Sequence, residues 1–258
     1  MEDVVPFVIF IAAILAVSVI AAYIPMTIRT TDHQIHMMIA FSAGVFLGIL
    51  FLILLPEAIH ESEGVYDVEF VLYLVLAGFL IMLAIDFIFK HFKNSECDCH
   101  ECQDHHSHSI TSLSAWVGLS IHACFDGLAL ATAFLIGEAV GLMVLVAICL
   151  HKTVEVFSLS SMFLLTKKRK QAKVYLGVFC LLTPVAAMIS YFIFEGVEST
   201  ITGLAFAFSA GVFIFVTMLH MIPEAFHRKQ TNIGSLALLL LGFGVIVLVV
   251  LLMGSSEL

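Results

Sequence analysis

Apolar residues along this chain come in long unbroken runs, neither alternating nor striped with charge. Eight such runs cover roughly residues 4 to 26, 36 to 59, 69 to 90, 113 to 136, 139 to 165, 173 to 194, 200 to 223 and 232 to 253, separated by short polar stretches. A hydrocarbon core about 30 Å thick is crossed by about 20 residues of α-helix, so every run is long enough to cross it. Ten-residue alternation of lipid-facing and lumen-facing side chains, the mark of a membrane barrel, is missing. The pattern predicts an all-α membrane protein: one polytopic helical domain over residues 1–258 with eight transmembrane helices. The first run follows "MED", an acidic start without a basic n-region, and is too long for a signal peptide, so it reads as a retained helix.

Composition sharpens this picture. Hydrophobic residues make up 61% of the 258, charged residues 12%, and the mean hydropathy is +1.11, far from the soluble globular range. The lipid bilayer is therefore the expected surroundings, and nucleic acid is not an expected partner. The basic residues are unevenly placed. Arg29 lies between the first two runs, Lys90 and Lys93 after the third, Lys167, Lys168, Arg169, Lys170 and Lys173 between the fifth and sixth, and Arg228 and Lys229 after the seventh. The alternate connections, "HESEGVYDVE", "IGEAVG" and "FEGVEST", and both ends of the chain carry none. By the positive-inside rule the basic loops face the cytoplasm and both termini face outward, as expected for a plasma-membrane protein. The net charge of -9 is then concentrated on the outer side, where it attracts cations.

The chain also repeats itself. "FSAGVFLGILFLILLPEAIHE" from Phe41 and "FSAGVFIFVTMLHMIPEAFHR" from Phe208 share 11 of 21 residues. The two segments belong to the second and seventh runs, an odd number of crossings apart, so they traverse the bilayer in opposite directions. That predicts a 3+2+3 arrangement with an inverted repeat, spans 1–3 related to spans 6–8, a design that places substrate near the midplane of secondary transporters. Small residues such as Gly44 and Gly48 also serve close helix packing. Packing alone does not account for the recurrence of "PEA" followed by His60 and His227.

The two middle spans carry the charge that most needs explaining. His122 and Asp126 lie four residues apart in "IHACFDGLAL", and His151 and Glu155 four apart in "LHKTVEVFSL". Residues four apart share a helix face, and spans joined by so short a connection pack as antiparallel neighbours. Four ligand-type side chains can then converge: two imidazoles and two carboxylates, suited to zinc, iron(II), manganese(II) or cobalt(II). Cys124 and Cys149, close in sequence, read as small buried hydrophobes. The competing reading is of structural ion pairs, His122 with Asp126 and Lys152 with Glu155. Ionisable side chains inside a bilayer cost about 2.5 to 3.5 kcal/mol each on insertion scales and generally mark pathways. Lys152 either stands in permanently for a second cation or points away, to a carbonyl or to Glu155. His220, with Glu224, reads equally as a gate, a secondary site on the pathway, or packing.

Between spans three and four, residues 91–112 form a loop that includes "NSECDCHECQDHHSHS". Its Cys97, Cys99, His100, Cys102, His105, His106 and His108 are candidates for metal binding. On the cytoplasmic side its thiols are expected to be reduced. The spacing fits no fixed zinc module, which suggests a mobile acceptor or sensor; the alternative is a solvated linker.

These features resemble the ZIP (Zrt/Irt-like) family of divalent metal transporters over essentially the whole chain: eight spans, a His-rich loop after span three, and metal motifs on spans four and five. The span-four motif of that family is His-Asn-x-x-Glu-Gly, which His122, Asp126 and Gly127 match with Ala123 at the Asn position. The span-five motif is His-Asn/Asp-x-Pro-Glu-Gly, which His151 and Glu155 match while Lys152, Val154 and Val156 depart. In binuclear members the Asn or Asp positions and a Glu on span six help hold a second metal; here Ala123, Lys152 and Thr183 stand there. The His-Lys pairing resembles one subgroup. The resemblance implies import toward the cytoplasm with zinc as cargo, an elevator-like or rocking motion, and a homodimer; iron(II), manganese(II), cobalt(II) or cadmium(II) are further expected cargo, and no prosthetic group is expected.

The rival reading is a membrane-embedded metal-dependent hydrolase, which also buries His and Asp ligands and keeps an open coordination position for water. The repeat and the midplane ligands favour a transporter and not an enzyme, and neither HExxH nor a serine-centred motif occurs. A sensor without flux would keep the same residues.

Overall fold

The computed structural model describes residues 4–28, 31–93, 100–165, 169–193, 199–226 and 233–254. Among them are eight helices long and apolar enough to cross a membrane. We label them α1 (Val4–Thr27), α2 (Asp32–His60), α3 (Val68–Lys93), α4 (His100–Ile136), α5 (Glu138–Leu165), α6 (Arg169–Ile193), α7 (Ser199–Phe215, continuing to Ala225) and α8 (Ile233–Gly254). Three starts lie well ahead of the sequence expectation, α6 beginning at Arg169 among the basic residues expected between spans. α2 begins at Asp32, ahead of its apolar run, because Thr31 and Gln34 form a reciprocal capping box. α4 begins at His100, inside the segment expected as a loop; that stretch contains neither glycine nor proline to stop a helix.

The two copies of the repeat share an irregularity. α2 opens into a π-helical turn at Leu50–Leu54, just before Pro56, and α7 does the same at Val216–Met221, just before Pro223. A proline ring collides with the carbonyl four residues earlier and brings no N–H of its own. Widening the preceding turn relieves the collision without breaking the helix.

Both copies also pack through the same positions. α2 lies along α8, where a Cβ on Gly44 would sit 1.9 Å from the Leu239 carbonyl oxygen and one on Gly242 would sit 2.2 Å from that of Phe41. α7 lies along α3, with Gly211 against Val75 at 1.9 Å and Gly78 against Phe208 at 2.2 Å. Gly44 and Gly211 hold the same place in their copies, as do Phe41 and Phe208. Backbones approach this closely only where no side chain intervenes, the packing mode of helices in lipid. Phe46 and Phe213, again equivalent, stack on each other with ring centres 4.8 Å apart.

α1 packs on α5 and α6 on α4, while α2 touches α5 and α7 touches α4. α4 and α5 form a hairpin joined at Gly137, and Gly141 fits against the backbone of Phe134. α7 and α2 are the most buried spans, with α4 next, while α5 turns Leu142, Met143, Val146 and Leu150 outward. α8 and α3 turn most of their leucines, isoleucines and phenylalanines outward, as lipid-facing helices do.

Candidate metal centre

His122 and Asp126, one turn apart on α4, face α5, and both are almost fully buried. Asp126 Oδ1 lies 3.1 Å from His122 Nε2 and 3.3 Å from His151 Nε2, the latter reaching across from α5. The three ligand atoms all lie within 4.8 Å of one another. Ligands bound to zinc at about 2.0–2.1 Å in a tetrahedron are about 3.3 Å apart, so the two His–Asp separations already suit one ion. His151 keeps a partly exposed edge, with 19% of its side chain accessible.

Around this triad the other side chains fix its state. His122 Nδ1 hydrogen-bonds Ser209 Oγ of α7, and its ring meets the edge of Phe213 at 4.2 Å. In the tautomer that donates its Nδ1 proton to the serine, Nε2 has a lone pair free for a cation. Lys152 is wholly buried, its ammonium 3.2 Å from Asp126 Oδ2, 2.7 Å from Glu155 Oε2 and 4.7 Å from the centre of the Phe179 ring. Thr183 donates to the Ala123 carbonyl at 3.0 Å, tying α6 to α4 beside the centre.

Of the four residues expected as ligands, the structure gathers three. Glu155 stands outside the group, its carboxylate paired with Lys152 one turn earlier on α5. Cys124 is exposed and Cys149 partly so, which corrects the expectation that both are buried; neither joins the triad. His220 does not face Glu224 alone. Its Nε2 lies 3.5 Å from Asp86 Oδ1 on α3, and Asp86 also accepts from Ser114 Oγ at 2.7 Å and pairs with Lys90 at 2.6 Å. Glu224 lies 3.7 Å from His36 Nδ1, which also contacts the Glu224 carbonyl at 2.7 Å. Lys90, expected in a loop, is part of α3, one turn beyond Asp86. Cys97 and Cys99 lie outside the described residues, as do the side chains of His100, Cys102, His105, His106 and His108.

Asp86, Ser209 and His36 escaped the sequence reading. Asp86 carried a usable signal, an acid within "LAIDFIF" in an otherwise apolar run. Ser209 carried none, because a serine in a membrane helix is ordinary.

The family described as ZIP Zinc transporter matches residues 5–115 and 93–250. The chain is similar to Zinc transporter ZIP9 of Micropogonias undulatus, 27% identical over 254 residues that cover 80% of each protein. It is also similar to Zinc transporter ZIP9-A of Xenopus laevis, 26% identical over 84% of each, and to Zinc transporter ZIP1 of Takifugu rubripes, 22% identical over 91% of this chain and 94% of that one.

Proposed function

The chain belongs to the ZIP zinc transporter family, and from that premise we propose that it carries zinc into the cytoplasm by way of His122, Asp126 and His151. It is an integral membrane transporter of divalent metal cations rather than an enzyme. The observation that supports the centre is Asp126 Oδ1 shared between two imidazole nitrogens, at 3.1 and 3.3 Å, inside an antiparallel hairpin. Zinc binding there displaces whatever protons the imidazole Nε2 atoms and the carboxylate share, so loading is coupled to proton release.

Lys152 limits the centre to one cation. Its ammonium holds Asp126 Oδ2 and Glu155, the carboxylate positions that a second metal would need. Glu155 is a reserve ligand: it joins the ion only if Lys152 lets it go. Beyond the centre, Asp86, His220, Glu224 and His36 form a string of polar groups across α3, α7 and α2, along which the ion leaves. The Cys97–His108 segment takes up or senses zinc on the cytoplasmic side. Basic loops inward, both termini outward, a plasma-membrane location, a homodimer, an inverted 3+2+3 architecture, and iron(II), manganese(II), cobalt(II) or cadmium(II) as lesser cargo complete the reading.

Zinc flux into proteoliposomes loaded with a fluorescent chelator tests it, with His151→Ala beside the intact protein. Flux lost in a folded variant supports passage through the centre. An intact protein that binds zinc but passes none would favour a hydrolase or a sensor instead.

A further inference from the structure

Ser42 is a buried serine without a visible task. It is fully enclosed in α2, and its hydroxyl has no hydrogen-bond partner, not even the backbone carbonyl that helical serines commonly use. Leaving such a group unsatisfied is costly. In the repeat, Ser42 holds the place that Ser209 holds in the other copy, the second residue of "FSAGVF". Ser209 has a partner, His122 Nδ1.

The packing says what Ser42 corresponds to. Exchanging the two copies turns α7 into α2 and, because α7 touches α4 while α2 touches α5, turns α4 into α5. His122 is the histidine of the α4 motif and His151 that of the α5 motif. Ser209 and Phe213, four apart on one face of α7, both contact His122. Ser42 and Phe46 are four apart on α2 and so share a face, and Phe46 stacks on Phe213. Ser42 and Phe46 thus present on α2 the same pair of side chains that contacts His122 from α7, while His151 is the ligand with a partly exposed side chain.

We infer that Ser42 is the anchor of His151 in the oppositely facing state, as Ser209 is the anchor of His122 in this one. Inverted repeats give the two end states of a carrier matching contacts with the copies exchanged. Each state then anchors one ligand imidazole to a serine through Nδ1 and holds the other by the Asp126 carboxylate alone, as His151 is held here. Passage of the ion exchanges which histidine is anchored. Ser42 and Ser209 are positioning residues; neither touches the cation. The inference rests on His122 and His151 being zinc ligands.

The test measures zinc flux in proteoliposomes together with the thermal midpoint of the zinc-free protein, for Ser42→Ala and Ser209→Ala. Ser209→Ala removes a hydrogen bond made in this state, so both flux and midpoint fall. Ser42→Ala removes a hydroxyl that is unsatisfied in this state, so the midpoint holds or rises while kcat for zinc falls about three- to tenfold, the weight of one hydrogen bond in the other state. A serine with a merely structural role cannot lower flux and leave the midpoint intact. Unchanged flux in Ser42→Ala overturns the inference, and so does lost flux accompanied by a lowered midpoint. Cobalt(II) absorption of the detergent-solubilised protein separates the two levels. If His151→Ala retains the cobalt spectrum, the ligand assignment fails and the anchor falls with it; if His151→Ala loses the spectrum and Ser42→Ala transports normally, only the anchor fails.

Discussion

Lys152→Ala is the substitution with the most to say about how the centre works. In the intact protein the ammonium is wholly buried and sits 3.2 Å from Asp126 and 2.7 Å from Glu155, both of them nearly or fully enclosed. Removing it leaves two buried carboxylates without their cation. Breaking a buried ion pair from one side costs about 3–5 kcal/mol, and here one ammonium serves two partners. Without zinc the variant should therefore be much less stable than the intact chain. Zinc reverses the balance. An ion on Asp126 Oδ1 sits about 5 Å from the ammonium on Oδ2, and a double and a single charge at that distance repel by about 6–7 kcal/mol at an effective dielectric of about 20. Relief of even about a quarter of that makes binding more than about tenfold tighter. The variant should thus be rescued by zinc, bind it more tightly, and release it more slowly. Denaturation midpoints with and without zinc, together with a zinc-binding isotherm, check each part. A zinc-free variant as stable as the intact protein, or one that binds zinc no more tightly, would refute this account of Lys152.

Other outcomes follow from the same geometry. Lys152→Asp should admit a second ion, read as two metals per chain by anomalous scattering; one metal only would count against the lysine as a cation substitute. Protons and zinc compete for the histidine nitrogens, so flux should fall as pH drops from about 7.5 to about 5.5; a flat profile would argue against His151 as a ligand. Asp86→Asn keeps the shape that accepts from Ser114 but removes the charge beside His220 and Lys90, so single-turnover zinc release should slow on the order of tenfold while equilibrium binding at the centre holds. Gly211→Ala places a methyl 1.9 Å from the Val75 carbonyl oxygen and should cost about 1–3 kcal/mol in unfolding free energy. Gly177→Ala, with open space around it, should be neutral or gain up to about 1 kcal/mol. Deleting residues 97–108 should weaken zinc uptake or its feedback; a deletion that changes neither would make that segment a plain linker.

Much of this molecule is legible in its sequence because membrane helices announce themselves by length and apolarity. The two "FSAGVF" copies were equally readable, since their glycines must meet carbonyls and so tolerate little change. The His122–Asp126 spacing was readable for the same reason that it works: residues four apart share a face. What the sequence concealed was choice of partner. Nothing in "HKTVE" says whether Glu155 turns to the ion or to Lys152, because both lie within reach of a three- or four-residue step. Likewise His220 and Glu224 are four apart and look like a pair, but Asp86, more than a hundred residues away, takes the histidine. Long-range pairing of this kind is set by helix packing, and one chain read alone does not carry it.

The wide turns before Pro56 and Pro223 have a practical effect on anyone mapping this protein. A π turn takes in one residue more than an α turn, and one residue is about 100° of rotation around the helix axis. A helical wheel drawn straight from Phe41 to His60, or from Phe208 to Ala225, therefore rotates everything beyond the wide turn onto the wrong side. Cysteine scanning or crosslinking designed on such a wheel would assign Glu57 or Glu224 to lipid or to the interior incorrectly. Counting one residue less past Leu54 and past Met221 restores the register and puts each probe on the surface it reports.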